Sequence, residues 1–137
     1  MYKFKTKPFE HQKDALKKCW NKKAFAIFAE MGTGKTKIAL DNACILYNKG
    51  RIDRLLVVAP KGTYMNWVDQ EIPVHVPDYI EKDVLAWKPN ITEKYELQLK
   101  SIRNSQNFKL KIFVMNVESL STKKGCYYAR LFLSSKA

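Results

Sequence analysis

Short apolar runs alternate with longer stretches of helical spacing along this chain. Ala24–Ala29 (Ala-Phe-Ala-Ile-Phe-Ala), Leu55–Ala59 (Leu-Leu-Val-Val-Ala) and, after its first residue, Lys111–Met115 (Lys-Ile-Phe-Val-Met) are apolar at successive positions, the pattern of strands buried on both faces. Val84–Trp87 reads as a shorter strand. Phe9–Trp20 places Ala15, Leu16, Cys19 and Trp20 at helical spacing, and Lys35–Asn48 does the same with Ile38, Ala39, Cys44, Ile45 and Leu46, with Gly50 as its stop. Thr63 is placed to cap a helix reaching Glu71 or Ile72, where Pro73 ends it. Thr92 is placed to cap a helix to Arg103, and Tyr127–Leu133 predicts a short final helix. Asn21–Lys23 reads as a turn, and Val74–Lys82 and Ser119–Gly125 read as loops. No internal repeat or low-complexity linker interrupts the alternation. It predicts an α/β layered domain with a largely parallel sheet.

At 137 residues the chain is long enough for one domain with a real core, and 46% hydrophobic content with 12% aromatics argues against disorder. No apolar run approaches the roughly 20 residues of a membrane span, and basic Met1–Pro8 lacks the apolar stretch of a signal peptide. The expectation is a soluble, intracellular, cytoplasmic protein. Cys19, Cys44 and Cys126 are widely spaced with no Cys-x-x-Cys pair, which suits a reducing compartment and small core residues rather than a metal site. The net charge is +12, from 25 Lys and Arg against 13 Asp and Glu. Such a balance favours a polyanionic partner, most simply nucleic acid, although a solvated lysine-rich surface accounts for it equally well. Most of the cations are Lys, which suits phosphate contacts better than base reading.

The densest chemistry is Ala29–Thr36, Ala-Glu-Met-Gly-Thr-Gly-Lys-Thr, between a strand and a helix that opens at Lys35 or Thr36. A glycine-rich turn at a helix start aims several main-chain N–H groups at one point, and the helix dipole and Lys35 add positive charge there. That is a cradle for the phosphates of a nucleoside triphosphate, with the Thr36 hydroxyl on Mg²⁺. The strict pattern wants Gly where Ala29 stands, while Gly32, Gly34, Lys35 and Thr36 are in register. Upstream, Gln12 in Pro8-Phe9-Glu10-His11-Gln12 offers a carboxamide that can pair with adenine N6 and N7, although a lone Gln near an N-terminus is ordinarily surface.

Two further segments follow strand ends, where open α/β sheets bind ligands. After Ala59, Pro60-Lys61-Gly62-Thr63 runs into a helix, so the Gly62 and Thr63 N–H groups with Lys61 can hold a nucleic-acid phosphate. In the helix that follows, Trp67 reads as core rather than as a base-stacking residue. After Met115, Asn116 and Ser119 offer hydrogen bonds.

Taken in order, these four segments resemble the first ATPase lobe of superfamily 2 helicases, closest to the Swi/Snf-like branch, over roughly residues 8 to 120. Gln12 matches the adenine-reading glutamine. Glu30–Thr36 matches motif I in its helicase form, which accounts for Ala29. Pro60-Lys61, Asn66-Trp67 and Glu71 match motif Ia, and Asn116–Leu120 resembles motif Ib. The resemblance implies a RecA-like P-loop lobe of a motor that couples ATP hydrolysis to movement along DNA rather than RNA. It implies ATP and Mg²⁺ as cofactors. Gln12, Met31, Gly32, Thr33, Gly34, Lys35 and Thr36 would bind the nucleotide, with Thr36 on the metal. Lys61, Thr63 and Asn116 would sit on the nucleic-acid backbone.

The chain departs from that pattern in one respect. The family's next motif carries an Asp-Glu pair that holds Mg²⁺ and positions water. Here every Asp precedes something else: Ala15, Asn42, Arg54, Gln70, Tyr79 or Val84. The expectation is a partial lobe, truncated before the motif II strand and without the second lobe. It would bind ATP weakly, if at all, without turnover, and no residue in it is assigned a catalytic role. The family's central strands would lie between Ala24–Ala29 and Leu55–Ala59. Without them the sheet is expected to close by rearranging or by pairing with a second copy through unpaired edges. A small P-loop kinase fits less well, because Arg51, Arg54, Arg103 and Arg130 form no clustered lid. A non-catalytic nucleic-acid-binding module and an inert fragment are the remaining alternatives.

Overall fold

The structure, a computed structural model, describes residues 23–28, 36–104 and 109–134. The predicted helix Phe9–Trp20, residues 21 and 22 of the turn, Gln12, Cys19 and the phosphate loop 29–35 lie outside the described residues.

Four strands form one sheet in the order β1-β2-β4-β3: β1 (Ala24–Phe28), β2 (Arg54–Ala59), β3 (Lys82–Ala86) and β4 (Leu110–Asn116). All three pairings are parallel, as an alternating α/β chain requires. The central strands β2 and β4 are buried at every position, which explains the apolar runs Leu55–Ala59 and Ile112–Met115, whereas the edge strand β3 is half-buried throughout.

Helices cover both faces. On one, α1 (Thr36–Asn48) and the helical run after β2 pack Leu40, Ala43, Trp67, Ile72 and Val76 against Leu55, Val57, Ile112 and Val114. On the other, α4 (Glu93–Asn104), α5 (Val117–Leu120) and α6 (Lys123–Ser134) pack Tyr95, Leu99, Leu120, Ala129 and Phe132 against Leu56, Val58, Phe113 and Met115. The division follows the handedness of parallel crossovers. The chain moves one way across the sheet from β1 through β2 to β3, then turns back to β4, so the returning helix must cross the opposite face.

Several expectations are corrected. Ile38 and Ile45 are not inside: they are 61% and 50% exposed, and α1 buries Leu40 and Ala43 in their place, together with the expected Cys44. Pro73 does not end its helix. The run passes from α2 (Tyr64–Asn66) through a π turn (Trp67–Glu71) into α3 (Ile72–His75), and the Ile72 N–H reaches back to the Trp67 carbonyl. The wider π turn gives room where the proline ring would otherwise meet the carbonyl one turn earlier. Ser119–Gly125 is mostly helical, shared between α5 and the first turn of α6.

Gly50 and Thr92 behave as expected. Gly50 has φ +73°, and its N–H and that of Arg51 bond back to the Tyr47 and Leu46 carbonyls at 2.9 Å each, a Schellman stop. Thr92 Oγ1 accepts from the Tyr95 N–H at 3.1 Å as an N-cap.

Of the two outcomes expected for the central edges, closure by rearrangement is the one observed between β1 and β2. The two strands pair directly, from Ala24 with Arg54 to Phe28 with Val58.

Candidate functional site

The chain leaves β1 and β2 toward one face and β3 and β4 toward the other. Adjacent strands β2 and β4 therefore send their connections apart, and a crevice opens at their carboxyl ends, the place where open α/β sheets take ligands. Their last paired residues are Ala59 and Asn116, so Pro60–Thr63 and Asn116–Glu118 face each other across the gap. Two of the segments singled out in the sequence thus meet at one place.

The Pro60–Tyr64 corner is tightly wound. Thr63 and Tyr64 both donate their N–H groups to the Pro60 carbonyl, at 2.9 and 3.0 Å. The Thr63 hydroxyl donates to the same oxygen at 3.2 Å and makes no capping bond to the helix, contrary to the sequence expectation. The Thr63 N–H is therefore committed to this corner, and the Lys61 N–H is the one that reaches across to the β4 side. Nothing lies within 4 Å of where a Cβ on Gly62 would stand, so the corner is open to a ligand.

Glu118, to which the sequence reading assigned no role, joins the two sides. Its Oε1 accepts from the Lys61 main-chain N–H at 3.1 Å and from Asn116 Nδ2 at 3.4 Å. Asn116 is buried, in extended conformation at the start of α5, and spends its side chain on Glu118 rather than on capping that helix. A strand-end Val-Glu-Ser was the available signal for Glu118, but its partner Lys61 is 57 positions away and invisible to local reading.

The helical run behind the corner is anchored by Trp67, which is 4% exposed and part of the core, as expected. The β3 end is tied in by aromatics. The Tyr64 hydroxyl donates to the Trp87 carbonyl at 3.1 Å, and Tyr95 donates to the Ala86 carbonyl while accepting from the Lys88 N–H. Lys88 lies over the Tyr95 ring at 5.8 Å, and Lys124 Nζ donates to the Pro89 carbonyl at 2.8 Å. Lys61, Lys88, Lys123 and Lys124 are all exposed and all follow strand carboxyl ends, so this edge of the sheet presents a basic rim suited to a polyanion.

For the phosphate loop the structure supplies the frame. β1 ends at Phe28 and α1, a 13-residue helix with no acid in its first turn, begins at Thr36. A strand followed by a long helix whose first turn carries no opposing charge fits an anionic phosphate group. Gln12, Met31, Gly32, Thr33, Gly34 and Lys35 lie outside the described residues, and of Thr36 the main chain alone is described. Among the described residues no cluster of three or more His, Cys, Asp or Glu could hold a metal, and no helix is long and apolar enough to cross a membrane.

The profile of the family described as "Type III restriction enzyme, res subunit" matches residues 5–135. No curated protein and no solved structure matches the chain.

Proposed function

This chain belongs to the type III restriction enzyme res subunit family, a family of helicase-like ATPase domains, and from that premise we propose that it is the ATP-binding, nucleic-acid-contacting part of an ATP-dependent DNA helicase or translocase. The observation that carries the reading is the β2–β4 crevice. Lys61, Thr63 and Asn116 gather there at a topological switch point, beside a rim of exposed lysines. Lys61 contacts backbone phosphate through its ammonium group, Asn116 fixes the register of the strand, and Thr63 contributes at the backbone by holding the Pro60 corner in shape. DNA is the preferred substrate by resemblance of the motifs.

ATP is held at the β1–α1 frame. Gln12 reads adenine, and Met31, Gly32, Thr33, Gly34 and Lys35 hold the phosphates, with Thr36 on Mg²⁺. In a complete motor, hydrolysis of the nucleotide would supply the free energy for strand movement. The isolated chain binds nucleotide weakly, if at all, and does not turn it over, because its 137 residues contain no Asp-Glu pair to position the metal and water. The Swi/Snf-like assignment among superfamily 2 helicases rests on the motif of Pro60-Lys61, Asn66-Trp67 and Glu71, in which Trp67 is in the core and Asn66 is exposed next to it. Self-association through the sheet remains part of this reading, since among the described residues no strand covers the outer edge of β3.

Two measurements test it. Fluorescent ATP-analogue binding should require Lys35 and disappear in Lys35→Ala, while phosphate release stays at background with and without DNA. Turnover that Lys35→Ala abolishes would sink the non-hydrolytic part. DNA binding followed over a salt series should lose about one unit of log–log slope in Lys61→Ala. The basic rim also favours a second reading, a nucleic-acid-binding module that needs no nucleotide. DNA binding intact in Lys35→Ala together with no analogue binding in the wild type would select it.

A further inference from the structure

A single carboxylate oxygen sits at the focus of the crevice. Glu118 Oε1 takes both the Lys61 main-chain N–H and the Asn116 side-chain amide, two donors that converge from the ends of different strands. Asn116 is 6% exposed and held by the strand it terminates, so its amide is fixed, whereas Glu118 is exposed and can swing out into water without an unfolding step. Two fixed donors facing a movable anion describe an anion position with a resident occupant. A phosphate oxygen and this carboxylate oxygen cannot share the position, because both are acceptors and both carry negative charge.

We propose that Glu118 is an internal counter-anion. It fills the phosphate position of the crevice in the free protein and is displaced when a nucleic-acid phosphate arrives. The inference rests on the nucleic-acid reading of this site. Displacement makes binding selective for dense negative charge. An isolated anion gains only the two donors Glu118 gives up, whereas a phosphodiester chain also engages the rim lysines Lys61, Lys88, Lys123 and Lys124. Glu118 therefore lowers affinity for weak anions and leaves strands of nucleic acid as ligands able to open the site.

The test is anisotropy of a short fluorescein-labelled duplex DNA across a salt series, with wild type, Glu118→Gln, Glu118→Ala and Lys61→Ala, each shown to be folded by circular dichroism. Glu118→Gln keeps an acceptor for both donors and removes the charge. It should bind about two- to fivefold more tightly than wild type at low salt, the gain shrinking as salt rises. Glu118→Ala should also bind more tightly. Equal or weaker binding by Glu118→Gln overturns the inference, and weakening in Glu118→Ala that Gln restores would make Glu118 a clamp for the two loops instead. The underlying reading fails separately: Lys61→Ala would then match the wild type in both affinity and salt slope. If Glu118→Ala does not fold, Glu118→Gln alone decides.

Discussion

Arg54 and Lys111 are register partners on β2 and β4, and both are buried, at 0% and 1% exposure. They lie at the amino end of the sheet, opposite the crevice, on the face that carries Leu56 and Phe113. Asp53 is the near counter-charge, with Oδ1 3.6 Å from Arg54 Nε, and no guanidinium nitrogen of Arg54 has a hydrogen-bond partner. Burial pushes the pKa of both cations down, and Asp53 opposes that in each case. Lys111 Nζ reaches the Lys109 carbonyl at a long 3.5 Å, and two buried cations so incompletely partnered are a net cost to this fold.

Arg54→Met should therefore leave the protein as stable as wild type or stabilise it by about 1–3 kcal/mol, since an apolar side chain of similar length removes an unsatisfied charge. Urea unfolding of the two proteins checks this. A loss of stability would mean that Arg54 has a compensating partner.

Lys111 and Tyr95 set opposite pH dependences. The Lys111 pKa is lowered by burial, so between that depressed value and the ordinary lysine value near 10.4 the unfolded chain binds more protons and stability rises with pH. The Tyr95 pKa is raised by burial, so above about pH 10 the unfolded chain loses its proton first and stability falls. Thermal unfolding should show a rise in the alkaline range followed by a fall. Lys111→Met should flatten the rise, and Tyr95→Phe should reduce the fall.

Gly125 has no room for a side chain. A Cβ there would stand 2.0 Å from the Ser119 carbonyl oxygen and 3.1 Å from Thr122 Oγ1. The first contact is with main chain, which cannot rotate away, so Gly125→Ala should cost about 2–3 kcal/mol by forcing α5 and α6 apart. Thr122 Oγ1 accepts from the Gly125 N–H at 3.0 Å as the cap of α6, and Thr122→Ala should cost about 1 kcal/mol. If Gly125→Ala unfolds at the same denaturant concentration as wild type, the close approach is not real.

Cys44 and Cys126 should differ as thiols. Cys44 is 6% exposed and burial pushes its pKa up, whereas Cys126 is half-buried. Under native conditions iodoacetamide should label Cys126 well before Cys44, with peptide mass mapping as the readout. Equal rates would mean that α1 is not packed on the sheet as described.

Much of the fold was legible because its signals are local. β2 and β4 announce themselves through the apolar runs Leu55–Ala59 and Ile112–Met115, since strands buried on both faces admit few polar residues. Thr92 and Gly50 mark helix ends through bonds to residues a few positions away. Where the local signal is ambiguous, the structure departs from the expectation. Ile38 and Ile45 are as apolar as Leu40, and nothing in their spacing says which stripe of α1 meets the sheet. Pro73 is a breaker in an ordinary helix, but a π turn accommodates it. Lys61, Thr63 and Asn116 were identified at strand ends, yet the commitment of the Thr63 N–H to Pro60 and the bridge through Glu118 were not legible.

The sequence by itself determined the α/β class, the buried strands and the strand-end segments with chemistry to offer, because apolar runs, caps and glycine turns act over a few residues. Tertiary structure alone decided the order β1-β2-β4-β3, and with it that Pro60–Thr63 and Asn116–Glu118 share one crevice. That pairing depends on which strands lie side by side and on which face each connection crosses. Those are choices among long-range contacts that compete in free energy, and no short stretch of sequence encodes them.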